Sequence, residues 1–250
     1  MAKKIALITG ATSGIGLETA RILHQKGYWI IATGRREENL KNLEKEFENE
    51  RIITLCFDVK DRDAVQKNIN GLPDEWKQID VLINNAGNAH GMDLFQDGSW
   101  ADWEAMIDIN VKGLIAVTEA VLHFMRERKS GHIINVSSIA ADQAYAKGSL
   151  YCATKSAVSM ITECLRIDLN AEGIKVSEIK PGMVETEFSL VRFKGDAERA
   201  KQVYKGCEPL TGKDVAEVIA YMVEAPRHVN IAEVLLMPLD QASTTVFNRK

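Results

Sequence analysis

The sequence predicts an α/β chain: one domain built on a doubly wound parallel sheet of about seven strands with helices on both faces. Three observations predict it. Short apolar, β-rich runs alternate with amphipathic helical stretches, the pattern of successive βαβ units. Most of these runs are continuous rather than alternating in polarity, as strands are when helices cover both sheet faces. A glycine-rich turn joins the first run to the first helical stretch, where such sheets place a phosphate-bearing ligand.

Composition narrows the function. With 250 residues, 46% of them hydrophobic, the chain can bury a large single core, so residues 1–250 read as one domain with a substrate-loop segment at about 183–210. A formal charge of -4, a pI near 5.8 and no basic stripe argue against nucleic acid or an anionic membrane and leave a small molecule as the expected partner. Cys56, Cys152, Cys164 and Cys207 show no C-x-x-C spacing and read as reduced thiols in mostly apolar surroundings, so neither a disulfide framework nor a metal is expected. The opening Met1-Ala2-Lys3-Lys4 leads straight into a short apolar run, and no stretch reaches the ~18 apolar residues of a membrane span, which predicts a cytoplasmic location.

In chain order, strands are expected at Ile5 to Thr9, Tyr28 to Thr33, Ile52 to Phe57, Val81 to Asn84, His132 to Ser137, Lys175 to Lys180 and Glu233 to Met237. After the first comes Thr9-Gly10-Ala11-Thr12-Ser13-Gly14-Ile15-Gly16, then a helix from about Leu17 to Gln25. Glycines there let backbone N-H groups and the positive helix end meet a pyrophosphate, so the loop reads as a dinucleotide site. The second strand ends at Thr33-Gly34-Arg35-Arg36, where an NAD site would carry an acid. Gly34 is expected to leave room there, and the two guanidiniums suit a 2′-phosphate, which predicts NADP. Asp58 and Val59 close the third strand and are expected beside the adenine.

Asn84-Asn85-Ala86-Gly87 ends the fourth strand with small residues that admit a flat ring. A helical pattern runs from Trp100 to Arg128 and contains Asn110, whose amide can bond backbone and hold a water at a kink. Two irregular segments, Ala86 to Ser99 and Met183 to Leu210, follow predicted strands and are expected to border a site. Ser138 ends the fifth strand; it either caps a turn or offers a hydroxyl to a carbonyl. Tyr151 and Lys155 are spaced to share one helix face, and a cation beside a phenol favours the phenolate.

These motifs in this order resemble the short-chain dehydrogenase/reductase family: the glycine loop, Asp58, Asn84 to Gly87, Asn110, Ser138, Tyr151 with Lys155, and Pro181-Gly182 followed by Thr186. The stretches around Asn110, Glu185 to Gly195 and His228 to Ile231 resemble its NADP-dependent 3-hydroxy acid dehydrogenases, together with related sulfoacetaldehyde reductases. The resemblance implies a Rossmann-type fold and a catalytic set of Asn110, Ser138, Tyr151 and Lys155. Tyr151 is then the proton donor or acceptor, Ser138 holds the substrate oxygen, Lys155 binds ribose hydroxyls and stabilises the phenolate, and Asn110 anchors a relay water. It also implies that Gly10, Thr12, Ser13, Gly14, Ile15, Gly16, Arg35, Arg36, Asp58, Val59, Asn85 and Gly87 contact NADP(H), joined by Tyr151, Lys155, Pro181, Gly182, Val184 and Thr186.

Arg192, with Tyr145 or Gln241 as polar helpers, is expected to bind a carboxylate or sulfonate, hence an anionic substrate. Helices around Val111 to Met125 and Leu150 to Leu169 are apolar on more than one face, and the resemblance implies a homotetramer. A broader carbonyl reductase and a non-catalytic NADPH-binding sensor are the competing expectations.

Overall fold

The computed structural model describes residues 3–48 and 50–250. Met1 and Ala2, which open the stretch read as too short for a signal peptide, lie outside the described residues. The chain begins with β1 (Ile5–Ile8), α1 (Gly14–Gln25), β2 (Trp29–Gly34), α2 (Glu37–Glu46), β3 (Ile52–Cys56), α3 (Arg62–Asn70) and β4 (Ile79–Asn84). It continues through α4 (Trp100–Ile107), α5 (Leu114–Arg128), β5 (Gly131–Val136), α6 (Ser149–Asp168) and β6 (Ile174–Pro181). The last third holds β7 (Val184–Glu185), α7 (Phe188–Arg192), α8 (Ala197–Gln202), β8 (Leu210–Thr211), α9 (Gly212–Glu224) and β9 (Glu233–Leu236). All seven expected strands form one sheet, their ends displaced by one or two residues.

The sheet order is β3-β2-β1-β4-β5-β6-β9, and every pairing in it is parallel. The chain therefore winds outward from β1 in one direction, returns, and winds outward from β4 in the other. The crevice at that reversal lies beyond the carboxyl ends of β1 and β4, where open sheets of this kind bind ligands. One core packs Val65, Ile69, Val117, Val121 and Met125 against one sheet face. The other packs Ala20, Leu23, Leu43, Ile219 and Met222 against the opposite face. The helices are amphipathic because each faces the sheet on one side and water on the other.

Two expectations change. The helical pattern from Trp100 to Arg128 is interrupted by a π-helical turn at Asp108–Gly113. The close approach of Gly113 to Val59, whose Cγ2 would lie 2.7 Å from a Cβ there, fits a local distortion that tertiary packing stabilises. The thiols are also less uniform than expected. All four are free, but only Cys152 is buried, while Cys56 sits on an edge strand and Cys164 on the outer face of α6, both exposed. Among the described residues no helix is long and apolar enough to cross a membrane, and no three His, Cys, Asp or Glu side chains group as metal ligands.

Candidate active site

A cleft of about 380 Å³ runs along the carboxyl ends of the strands, from Arg36 past the glycine loop to Tyr151, Lys155 and Phe188. Its floor is set by Thr9, a buried residue whose hydroxyl accepts from the Asn85 and Ala86 amides at 3.0 and 2.9 Å. Asn85 Nδ2 donates back to Thr9 O and Gly10 O, at 2.9 and 3.3 Å. Asn85 thus lines the cleft while its amide nitrogen fastens the glycine loop. Gly10 has φ +67°, and a Cβ there would lie 2.9 Å from Asn85 Nδ2, so the turn requires glycine. Ser13 precedes α1 without capping it, and the first turn of α1 carries no acid, which leaves the positive helix end uncompensated.

The Ser13 hydroxyl instead accepts from Arg36 Nη2 at 2.7 Å, and Thr12 Oγ1 accepts from the same nitrogen at 3.0 Å. Glu187 completes this corner at 2.7 Å from Arg36 Nη1. Arg35 is more exposed, at 61% of its side chain, and sits 3.4 Å from Asp58 Oδ2. Asp58 also accepts from the Lys60 amide at 3.1 Å, and the apolar wall of the cleft in this segment comes from Val59 and Phe57. The room expected beside Gly34 is filled by Thr12, whose Cγ2 would lie 2.6 Å from a Cβ at that position. Gly34 matters because it lets the glycine loop close over the second strand.

At the other end, Tyr151 and Lys155 lie on the first turns of α6, both buried. Lys155 Nζ donates to Val136 O at 3.0 Å and lies 5.9 Å from the Tyr151 ring centroid. Burial brings the Lys155 ammonium down to about 8, with the Glu178 charge acting the other way. Burial likewise raises the Tyr151 phenol well above its ordinary value, and the neighbouring Tyr145 adds to this; hydrogen bonding with Ser138 and the Arg192 charge oppose it. Arg192 is thus a second cation beside Tyr151, in addition to Lys155. Ser138 accepts from the Ala140 amide at 3.1 Å as a turn cap, and its hydroxyl, which donates to Pro181 O at 3.5 Å, lines the cleft with Tyr151.

Asn110 sits inside the π-helical turn. Its Oδ1 accepts from the Asn88 amide at 2.8 Å, and its Nδ2 donates to Asn88 O and Thr154 Oγ1 at 2.8 and 3.1 Å. Both amide hydrogens are thus engaged by protein, and Asn110 clamps the loop after β4 onto α6. Gly87 lies within that clamp, where a Cβ would be 3.3 Å from Asn110 Oδ1 and 3.4 Å from Lys155 Nζ.

Arg192 ends α7 and reaches back over the site. It donates to Tyr145 Oη at 2.6 Å and Gly91 O at 3.3 Å, and its Cζ stands 5.4 Å from the Tyr151 ring centroid. Gln241 does not join it: its Oε1 accepts from the Met183 amide at 2.7 Å and its Nε2 donates to Ser243 O, so it braces the turn after β6 outside the cleft. Pro181, Gly182, Val184 and Thr186 all line the cleft. Sequence reasoning missed Thr9, Asn88, Glu187 and Phe188. Only Thr9 carried a signal, as a polar residue ending an apolar strand just before the glycine loop.

A model of the short chain dehydrogenase family matches residues 4–196. The chain belongs to the short-chain dehydrogenase family. It is 45% identical over 239 residues, 95% of this chain and 96% of the relative, to the NADP-dependent 3-hydroxy acid dehydrogenase YdfG of Escherichia coli strain K12. It is 42% identical to a serine 3-dehydrogenase of Rhizobium radiobacter over 236 residues, 94% of each chain. Among solved structures, the closed form of a serine dehydrogenase complexed with NADP+ matches with a TM-score of 0.94 and 43% identity, covering 98% of this chain and 99% of the other. The short-chain dehydrogenase fold thus accounts for the whole sheet, including β9, which lies beyond the family match.

Proposed function

We propose that this short-chain dehydrogenase is an NADP-dependent oxidoreductase that interconverts a small 3-hydroxy acid and the matching semialdehyde, of the serine, allo-threonine or 3-hydroxypropionate type. The observation that carries the reading is Arg192, tied to Tyr145 and poised over Tyr151, which puts a cation one short substrate length from a proton-transfer phenol. The relatives' names point to the same reaction class.

The residues present fit the dinucleotide. The uncapped start of α1 suits a pyrophosphate, Arg36 with Thr12 and Ser13 suits a 2′-phosphate, Val59 and Phe57 suit the adenine, and Lys155 suits ribose hydroxyls. When bound, NADP(H) supplies or accepts the hydride. Tyr151 gives its phenol proton to the carbonyl oxygen in reduction and takes the hydroxyl proton in oxidation. Ser138 donates to the same oxygen and holds it against Tyr151. Lys155 stays charged at neutral pH, since its value lies near 8, and so favours the phenolate as the proton leaves. Arg192 pairs with the substrate carboxylate through the guanidinium face that Tyr145 leaves open. Asn110 keeps the loop bearing Gly91, and with it Arg192, at a fixed distance from Tyr151.

A panel of malonic semialdehyde, sulfoacetaldehyde, serine and a neutral diketone with NADPH or NADP tests this. Turnover of the anionic members, with a loss of tenfold or more in kcat/KM for Arg192→Ala but not for the diketone, is the expected result. A preference for the diketone in the parent enzyme points to a broad carbonyl reductase. Normal NADPH binding with no turnover points to a sensor. Exposed Ile115 on α5 and Met160 and Ile167 on α6 support the homotetramer reading, which light scattering tests. A cytoplasmic location is part of the same proposal.

A further inference from the structure

The core strand β6 departs from its apolar neighbours. It carries Glu178 and Lys180, only 2% and 4% exposed. Period-two alternation puts both on one sheet face, against α6. Lys180 Nζ lies 2.9 Å from Asp142 Oδ1, 3.1 Å from Glu233 Oε2 and 3.8 Å from Glu178 Oε2. Three carboxylates thus share one ammonium, and Glu178 holds the longest of the three contacts. Its other oxygen accepts from Ser159, which lies one helical turn beyond Lys155 on the same face of α6. Ser137, just after β5, donates to the Lys155 carbonyl at 3.2 Å. Glu178 is therefore tied to the face of α6 that bears Lys155 through the Ser159 hydroxyl, which stabilises its ionised form.

We propose that Glu178 is a positioning residue for the proton-transfer site, a buried anion behind Lys155 that keeps its ammonium charged and fixes its helical turn against β6. The inference rests on the reading of Lys155 given above. The ammonium has one direct partner, the uncharged Val136 carbonyl, and burial disfavours its charge. The charged and titratable groups around it are Tyr151 on its own helix, Glu178 and Lys180 on β6, Asp142 after β5, Glu233 on β9 and Arg192 on α7. Glu178 favours the charged ammonium, and its charge acts on Lys155 in that direction. Burial raises the Glu178 carboxyl itself, while Ser159, Ser137 and Lys180 pull it back.

The test follows Lys155 by NMR of ¹³Cε-lysine in the cofactor-free protein, alongside the pH profile of kcat/KM for carbonyl reduction. In Glu178→Gln the Lys155 midpoint is expected to fall by about one pH unit, and the alkaline limb of the profile to move down with it. Ser159→Ala, which changes no charge, is expected to shift the midpoint in the same direction by less, and it serves if the glutamine variant does not fold. Asp142→Asn, which loosens Lys180 without touching Glu178, is expected to shift it least. A Lys155 midpoint within about 0.2 unit of the parent in folded Glu178→Gln overturns the proposal. Because the NMR midpoint needs no substrate, that failure is distinct from a failure of the functional reading, which would appear as a normal titration with no turnover on the substrate panel.

Discussion

At the scale of single residues, two pairs that look equivalent in the sequence are made unequal by their surroundings. Arg35 and Arg36 are adjacent, yet Arg36 is gripped by Thr12, Ser13 and Glu187, while Arg35 extends into solvent beside Asp58. Charge-assisted hydrogen bonds from an oriented guanidinium contribute more than a mobile surface cation, discounted here for partial exposure. Arg36→Ala is therefore expected to raise the NADPH dissociation constant about tenfold and Arg35→Ala less, with NADH binding little changed in either, as titration of nucleotide fluorescence would report. Tyr151 and Tyr145 form the second pair. Burial raises both phenols, but only Tyr151 has Ser138 beside it, and Tyr145 is occupied by Arg192. Tyr151→Phe is expected to lower kcat by about a thousandfold while leaving the NADPH dissociation constant within twofold, measured by steady-state kinetics and the same nucleotide titration. Tyr151, Lys155, Ser138 and the glycine loop were legible because their chemistry is local: a spacing, a turn, a strand end. The engagement of Asp58 with Arg35, and of Gln241 with the Met183 amide, was not, because each partner choice depends on distances across the fold.

At the scale of elements, the segment after β6 is folded down on the loop after β4. The Gly91 amide donates to Arg192 O at 3.0 Å, and Lys194 Nζ lies 2.9 Å from Asp102 Oδ2. These two contacts differ in weight. The Lys194 side chain is 62% exposed, and exposed ion pairs contribute about 0–1 kcal/mol. Lys194→Ala should change KM for the proposed anionic substrate by less than about fivefold, whereas Arg192→Ala removes the proposed substrate contact itself; steady-state kinetics at low and high salt compares them. The sequence marked 183–210 as irregular, and it contains α7, α8 and two short strands, β7 and β8, that pair with each other. Short helices and two-residue strands carry too little periodicity to be read in advance. The π-helical turn around Asn110 was foreseen only as a kink, since the close packing of Gly113 against Val59 joins residues far apart in the chain.

At the scale of the whole molecule, the sheet buries titratable groups whose charging opposes folding. His132 on β5 is 3% exposed, bonded through Nε2 to Ser177 Oγ at 2.8 Å, and burial together with Lys175 lowers its value to about 3. Its folded value lies below its unfolded one, so the unfolded chain takes up the proton first. The neutral native state is favoured fully above pH about 6.5 and loses up to about 1.4 kcal/mol per unit as pH falls from there toward 3. Replacing the imidazole by an apolar side chain in His132→Leu is expected to flatten that part of the stability curve in urea titrations at pH 6 and 4. Ser177 retains Asn230 as a partner in that variant. The same distinction runs through the whole protein. Strand succession, the glycine loop, the family resemblance and the Tyr151–Lys155 spacing were already written in the sequence, because hydrophobic period, turn chemistry and helical spacing act over a few residues. It took the folded molecule to show which arginine is held, that Arg192 joins Lys155 beside Tyr151, where Asn110 directs its amide and which groups surround the buried Glu178. Those outcomes depend on burial and on partners far apart in the chain, where a shift of about one ångström changes both hydrogen bonding and charge.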